Sequence, residues 1–121
     1  MSASYDLQPL DSAKLEELRD LFGAESEVQD LFQEYFQELP ARLDSIRAGI
    51  AEASCEKIHQ AAHALKGSSG SLGAVLVQEI SRNLEESARA GSLDRAESLL
   101  QRLQEELDRL RSWLHDARLV D

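Results

Sequence analysis

His63, Lys66 and Gly67 follow one another at the three- and four-residue spacing that makes side chains neighbours on one face of an α-helix. At roughly 100° per residue, Ile58, Ala62, Leu65, Ser69 and Leu72 fall within roughly ±40° of one direction. His63 lies roughly 140° from Ile58, so its ring is expected to face water, with His59, Lys66 and Gly70 on the same flank. Near neutral pH an exposed imidazole, with an unperturbed pKa of about 6.5, is largely uncharged and keeps one free lone pair. Such a nitrogen can attack a phosphoryl group held on a carboxylate and form a covalent phosphoramidate. Lys66 supplies a cation for the phosphoryl oxygens, because transfer of this kind depends mostly on positioning and charge stabilisation. Gly67 and Gly70 each cost roughly 1 kcal/mol relative to Ala in a helix. Two such losses at exposed positions point to close approach by another molecule. Ser68 and Ser69 are candidate hydrogen-bond donors, although Ser69 points inward on the wheel and is expected to bond only backbone.

Residues 58–74 also resemble a known signature. Histidine-containing phosphotransfer domains carry His-x-Leu-Lys-Gly-Ser-Ser/Ala followed by Leu-Gly. His63, Leu65, Lys66, Gly67, Ser68, Ser69, Leu72 and Gly73 match it, eight positions within eleven residues. The resemblance implies that His63 accepts a phosphoryl group from the aspartate of one receiver domain and passes it to another receiver. It implies receiver domains and a hybrid histidine kinase as partners. The Mg²⁺ and most catalytic groups then belong to the receiver, and no cofactor belongs to this chain. In some family members a basic residue twenty-six places after the histidine lies near the phosphorylation site, which points here to Arg89. A glutamine often stands twenty-two places on, where this chain has Glu85. A carboxylate pointing inward there would repel phosphate, so Glu85 receives no phosphate-binding role; it is expected to orient Lys66 or to stay solvated.

The rest of the chain bounds the alternatives. Its 121 residues suffice for one domain with one modest core, and 42% are hydrophobic. Leu, Glu, Ala, Arg and Gln abound, all strong helix formers, while β-branched residues are scattered. A net charge of -10 argues against nucleic acid and against anionic membranes. No apolar run approaches the roughly 18 residues of a membrane span, and no signal peptide is expected from the first residues. Cys55 stands alone, so no disulfide framework exists and a reducing cytoplasm is expected. There is no nucleotide-binding loop, no kinase signature and no carboxylate cluster near His63 for Mg²⁺. The chain therefore reads as a phosphocarrier and not as a kinase.

The pattern predicts an all-α fold. Residues 1–10, with Pro9 and no periodicity, read as a flexible tail, and 11–121 as a single helical domain. Asp11 or Ser12 can cap a short helix ended by Gly23. A second helix starts near Glu25 and carries a long apolar stripe from Val28 to Ile50, with Pro40 expected to kink it or split it, a kink being favoured because the period resumes. Ser54 caps a third helix to about Ser71. A fourth runs from about Ala74 to Ala90, and a fifth from near Ser92 to about Ala117. Four long amphipathic helices joined by short turns predict an antiparallel up-down four-helix bundle, with the short helix across one end.

Other residues carry blander readings. His59 is a supporting or solvated residue and not a second acceptor; His115 is a cation at a helix end. His59 paired with His63 at i and i+4 lacks the Glu of the zinc-protease pattern, since Gln60 follows His59, and no third metal ligand is evident. The leucines of the last helix read as core and not as a dimer seam, so a monomer is expected. Leu18 and Phe22 are either part of a docking patch or a lid on the core. The main rival function is a helical adaptor that binds a signalling partner without phosphotransfer. The starting Met and tail-like ends favour a free-standing protein over a piece of a hybrid kinase.

Overall fold

The computed structural model describes residues 8–121, and all its regular elements are helices: α1 (Ser12–Phe22), α2 (Glu25–Ala51), α3 (Cys55–Leu72), α4 (Val75–Arg89) and α5 (Ala96–Asp116). The starts follow from local chemistry. The Asp11 carboxylate accepts from the Ala13 amide at 3.0 Å, and the Ser54 hydroxyl accepts from the Lys57 amide at 3.3 Å. Each satisfies one of the donors that a helix start leaves without an intrahelical partner. Glu25 and Glu27 place negative charge at the positive end of α2. Pro40 does not divide α2, which runs unbroken from residue 25 to 51 with the proline on its exposed face.

The apolar stripes meet in one core. Phe32 and Ile46 from α2, Ile58 and Leu65 from α3, Ile80 and Leu84 from α4, and Leu99, Leu103, Leu110 and Leu114 from α5 are all buried. Helix α3 packs on α2 and on α4, α4 on α5, and α5 returns to α2, while α1 lies against α2 and α3. The leucine face of α5 is spent inside this core, as its spacing predicts.

Two sequence expectations need correcting, and a choice left open in α1 is resolved. Leu10 is 1% exposed and joins the core, so packed chain begins before residue 11; residues 1–7 lie outside the described residues. Helix α5 begins at Ala96 and not near Ser92, because the Ser92 hydroxyl accepts from the Asp94 amide and caps a turn ahead of the helix. In α1, Leu18 is buried and belongs to the lid, whereas Leu21 and Phe22 are exposed, at 76% and 38%.

Gly73 ties α1 to the α3–α4 turn. It ends α3 in the left-handed conformation (φ 81°), and its carbonyl accepts from the Asp11 amide at 2.8 Å. A Cβ built there would lie 2.8 Å from Lys14 Cβ. Gly23 has a similar φ of 72° but open space around it. Both Gly→Ala substitutions should cost about 1–2 kcal/mol for the left-handed residue. Gly73→Ala should cost clearly more than Gly23→Ala, since only it collides with α1. Chemical denaturation of the two variants side by side checks this, and equal losses would remove the docking contact from the account.

Candidate functional site

The stripe that buries α3 also decides where His63 points. Ile58, Ala61, Ala62, Leu65, Ser69 and Leu72 are buried, which turns His63 outward with its side chain 65% exposed. Across the seam, α4 buries Val77, Ser81, Leu84 and Ala88, and this phase carries Glu85 into the α3–α4 interface. Small residues on both helices let the backbones approach, and the Glu85 side chain ends only 2% exposed.

An ionised carboxylate at such a position is costly unless paired. Glu85 is paired on both oxygens. Lys66 Nζ donates to Oε1 at 2.5 Å, and His63 Nδ1–H donates to Oε2 in a short hydrogen bond. His59 Nε2 and Arg89 Nη2 each lie 3.7 Å from the same Oε2. The Lys66 hydrogen bond holds the Glu85 pKa below its ordinary value, assisted by His63 and opposed by burial. Glu85 is thus a carboxylate, which can only accept. The proton of a neutral His63 ring must then sit on Nδ1, leaving the lone pair on Nε2. Among the described residues nothing hydrogen-bonds that nitrogen.

The arrangement can hold an imidazole in one tautomer and one orientation, with the ring and its free lone pair on the exposed side. The His59 ring lies nearly parallel to that of His63, centroids 6.1 Å apart at 9°. A Cβ on Gly67 would meet nothing within 4 Å, so the surface beside His63 is open.

The structure brings His59, His63, Lys66 and Arg89 around one carboxylate, and it corrects the neighbouring readings. Glu85 does orient Lys66, but it is not solvated, and its bond to His63 was missed because 22 residues separate the two. The available signal was its place four residues after Ser81 and three before Ala88, within the buried set of α4. Gly70 is not bare for a visitor: a Cβ there would lie 2.5 Å from the Gln78 side-chain amide, so Gln78 occupies the space. Ser68 donates to the Leu65 carbonyl at 3.2 Å within its own helix. Ser69 bonds the Tyr35 hydroxyl at 2.7 Å and not backbone, joining α3 to α2. Burial pushes the Tyr35 pKa up to about 12, against the opposing effect of the Ser69 bond, so this link stays uncharged at ordinary pH.

The sequence profile described as "Hpt domain" matches residues 30–113, well over half of the chain. The chain belongs to the Hpt family. No curated protein matches it. Its fold is similar to the crystal structure of histidine-containing phosphotransfer protein B from Pseudomonas aeruginosa PAO1, at 31% identity and a TM-score of 0.84, over 91% of this chain and 94% of the other. The Hpt domain therefore supports histidine phosphotransfer within a phosphorelay, and Hpt proteins are phosphocarriers rather than kinases. No helix among the described residues is long and apolar enough to cross a membrane.

Glu85 should also mark stability. Its folded pKa lies below the ordinary 4.5, so its stabilisation is complete above about 4.5 and is lost as pH falls through the folded value. Urea unfolding at pH 7 and pH 3 should show a smaller acid-induced loss for Glu85→Gln than for the wild type. Equal losses would mean that the carboxylate is not held as described.

Proposed function

We propose that His63 is the phosphoacceptor of this Hpt domain, taking a phosphoryl group from a receiver aspartate and passing it to a second receiver. The observation that carries this reading is a solvent-facing Nε2 on a ring whose Nδ1–H is bound by buried Glu85. Nε2 attacks the phosphorus, the P–N bond forms, and the P–O bond to the aspartate breaks, returning a carboxylate to the receiver. Positive charge developing on the ring is delocalised to Nδ1–H, where the hydrogen bond to the Glu85 carboxylate stabilises it while the proton stays on Nδ1. Transfer onward reverses these events against the second receiver's carboxylate.

Lys66 and Arg89 supply cations for the phosphoryl oxygens, and bare Gly67 admits the partner's catalytic surface. The metal expected in this reaction is the receiver's Mg²⁺; no residue here is assigned to it. We infer an antiparallel up-down bundle of α2–α5 with α1 across one end, which fits the short connections and the ring of helix contacts. Its consumed leucine stripe favours a monomer. The single, half-buried Cys55 fits a reducing compartment, and the cytoplasm is the compartment proposed.

Incubation with phosphorylated receiver domains should place an acid-labile, base-stable label on the protein, absent from a folded His63→Gln variant. Label retained in that variant would overturn the assignment. Lys66→Ala should slow transfer about 10-fold or more, the scale of losing one positioned charge at a transferring group. It should remain folded by circular dichroism; unchanged kinetics would strip Lys66 of its role.

A further inference from the structure

Glu85 sets a problem for a nucleophilic histidine. A buried carboxylate bonded to Nδ1 also favours a second proton on the ring, at Nε2, and an imidazolium has no lone pair with which to attack. Lys66 counters this by occupying Oε1, and Arg89 lies 3.7 Å from Oε2. His59 is different in kind. It stands one turn before His63, its Nε2 is 3.7 Å from the same Oε2, and its ring is stacked on that of His63. Among these neighbours it is the one whose side-chain type changes charge between pH 5 and 8.

We propose that His59 is a positioning residue that keeps His63 Nε2 unprotonated as the solution becomes more acidic, by sharing Glu85 Oε2 and by placing its own charge beside the His63 ring. When His59 takes up a proton, that charge sits against the oxygen that would otherwise stabilise a His63 imidazolium. A second proton on His63 then meets a like charge and a carboxylate already engaged. Unit charges at the 6.1 Å ring spacing, even at the dielectric constant of bulk water, oppose each other by about half a pH unit. The groups facing the pair are Lys66 on the same helix and Glu85 and Arg89 from α4. Among the described residues no charged side chain of α1 or α2 is paired with any of them. Glu85 stays ionised across this range, because the Lys66 bond holds its pKa low.

This inference rests on His63 being the phosphoacceptor. Potassium phosphoramidate is the probe: Nε2 attacks its phosphorus, the P–N bond to the leaving nitrogen breaks, and ammonia departs with the proton it needs. Initial labelling rates of His63 would be followed from pH 5 to 9 for wild type, His59→Gln and His59→Lys, each normalised to free imidazole, with His63→Gln setting the background. The pH at which the rate falls to half its plateau should lie about half a unit higher in His59→Gln than in wild type, and lower again than wild type in His59→Lys. Coincident acid limbs in all three, or a shift in the opposite order, would overturn the role of His59 while leaving His63 as the acceptor. Failure of wild type to take label above the His63→Gln background would instead overturn the phosphoacceptor reading itself. A purely structural role for His59 would lower the plateau or the stability without moving the acid limb.

Discussion

The buried carboxylate of Glu85 is the constraint around which the functional face is organised. Removing an ionised group from water has a desolvation penalty of several kcal/mol, so the fold must supply partners at that point. It supplies them mainly from α3, with Lys66 on one oxygen, His63 on the other and His59 nearby, while Arg89 stands one turn on along α4. The same bonds that satisfy Glu85 also fix the rotation of the His63 ring and the tautomer it adopts. On the proposed function, a requirement of folding and a requirement of chemistry are met by one set of atoms. Losing Glu85 would free the ring; losing Lys66 would leave a buried oxygen without its strongest partner.

Such a carboxylate can be reached only if the two helices run close together. Ala61, Ala62 and Ser69 on α3 and Ser81 and Ala88 on α4 are small and buried, and Gly70 leaves room for the Gln78 side chain. On its other side α3 is tied to α2 by the bond between Ser69 and Tyr35. Its N-terminal half is braced where Ile58 presses on Gly49; a Cβ there would come within 2.7 Å of Ile58 Cγ1. Held along two faces, α3 presents its remaining face, with His63 and Gly67, at a fixed angle to solvent. Side-chain entropy that would otherwise be lost at each docking event has already been lost in folding.

What could be read from the chain beforehand divides along a physical line. Properties set within one helix were legible: the outward phase of His63, the caps at Asp11 and Ser54, the left-handed glycine end at Gly23 and the leucine core face of α5. These depend on periodicity and on neighbours within four residues. Properties set between helices were not. Glu85 reaches His63 across 22 residues, and its meaning changes from solvated to buried with the relative rotation of α3 and α4. Gly70 looked like room for a partner because no local signal shows that Gln78 fills it. The helical wheel turns Ser69 inward, but its partner, Tyr35, lies on α2. Leu10 looked like tail because one apolar residue beside a proline has no period to reveal its burial.

On the proposed reading, the positions of the cations suggest how the site responds to its own product. Lys66 is 28% exposed and engaged with Glu85 inside the seam, whereas the phosphoryl group would sit outward on Nε2. Arg89 is 66% exposed and only 3.7 Å from Oε2, a long and loose pair. Arg89 therefore gives up little to turn toward the new negative charge, while Lys66 must release a short bond to a buried carboxylate to do the same. If Lys66 did leave, Glu85 would face His63 with half its compensation gone, which stabilises positive charge on the ring but raises the cost of the buried anion. The two effects oppose each other. Between transfers, a phosphoryl group held by Arg89 from outside avoids that conflict: the Lys66 charge acts on its oxygens from its place at Glu85 without breaking the short bond, and the phosphorus stays accessible past Gly67. A carrier needs its cargo held loosely enough to be taken, and this division of labour between the two cations provides that balance.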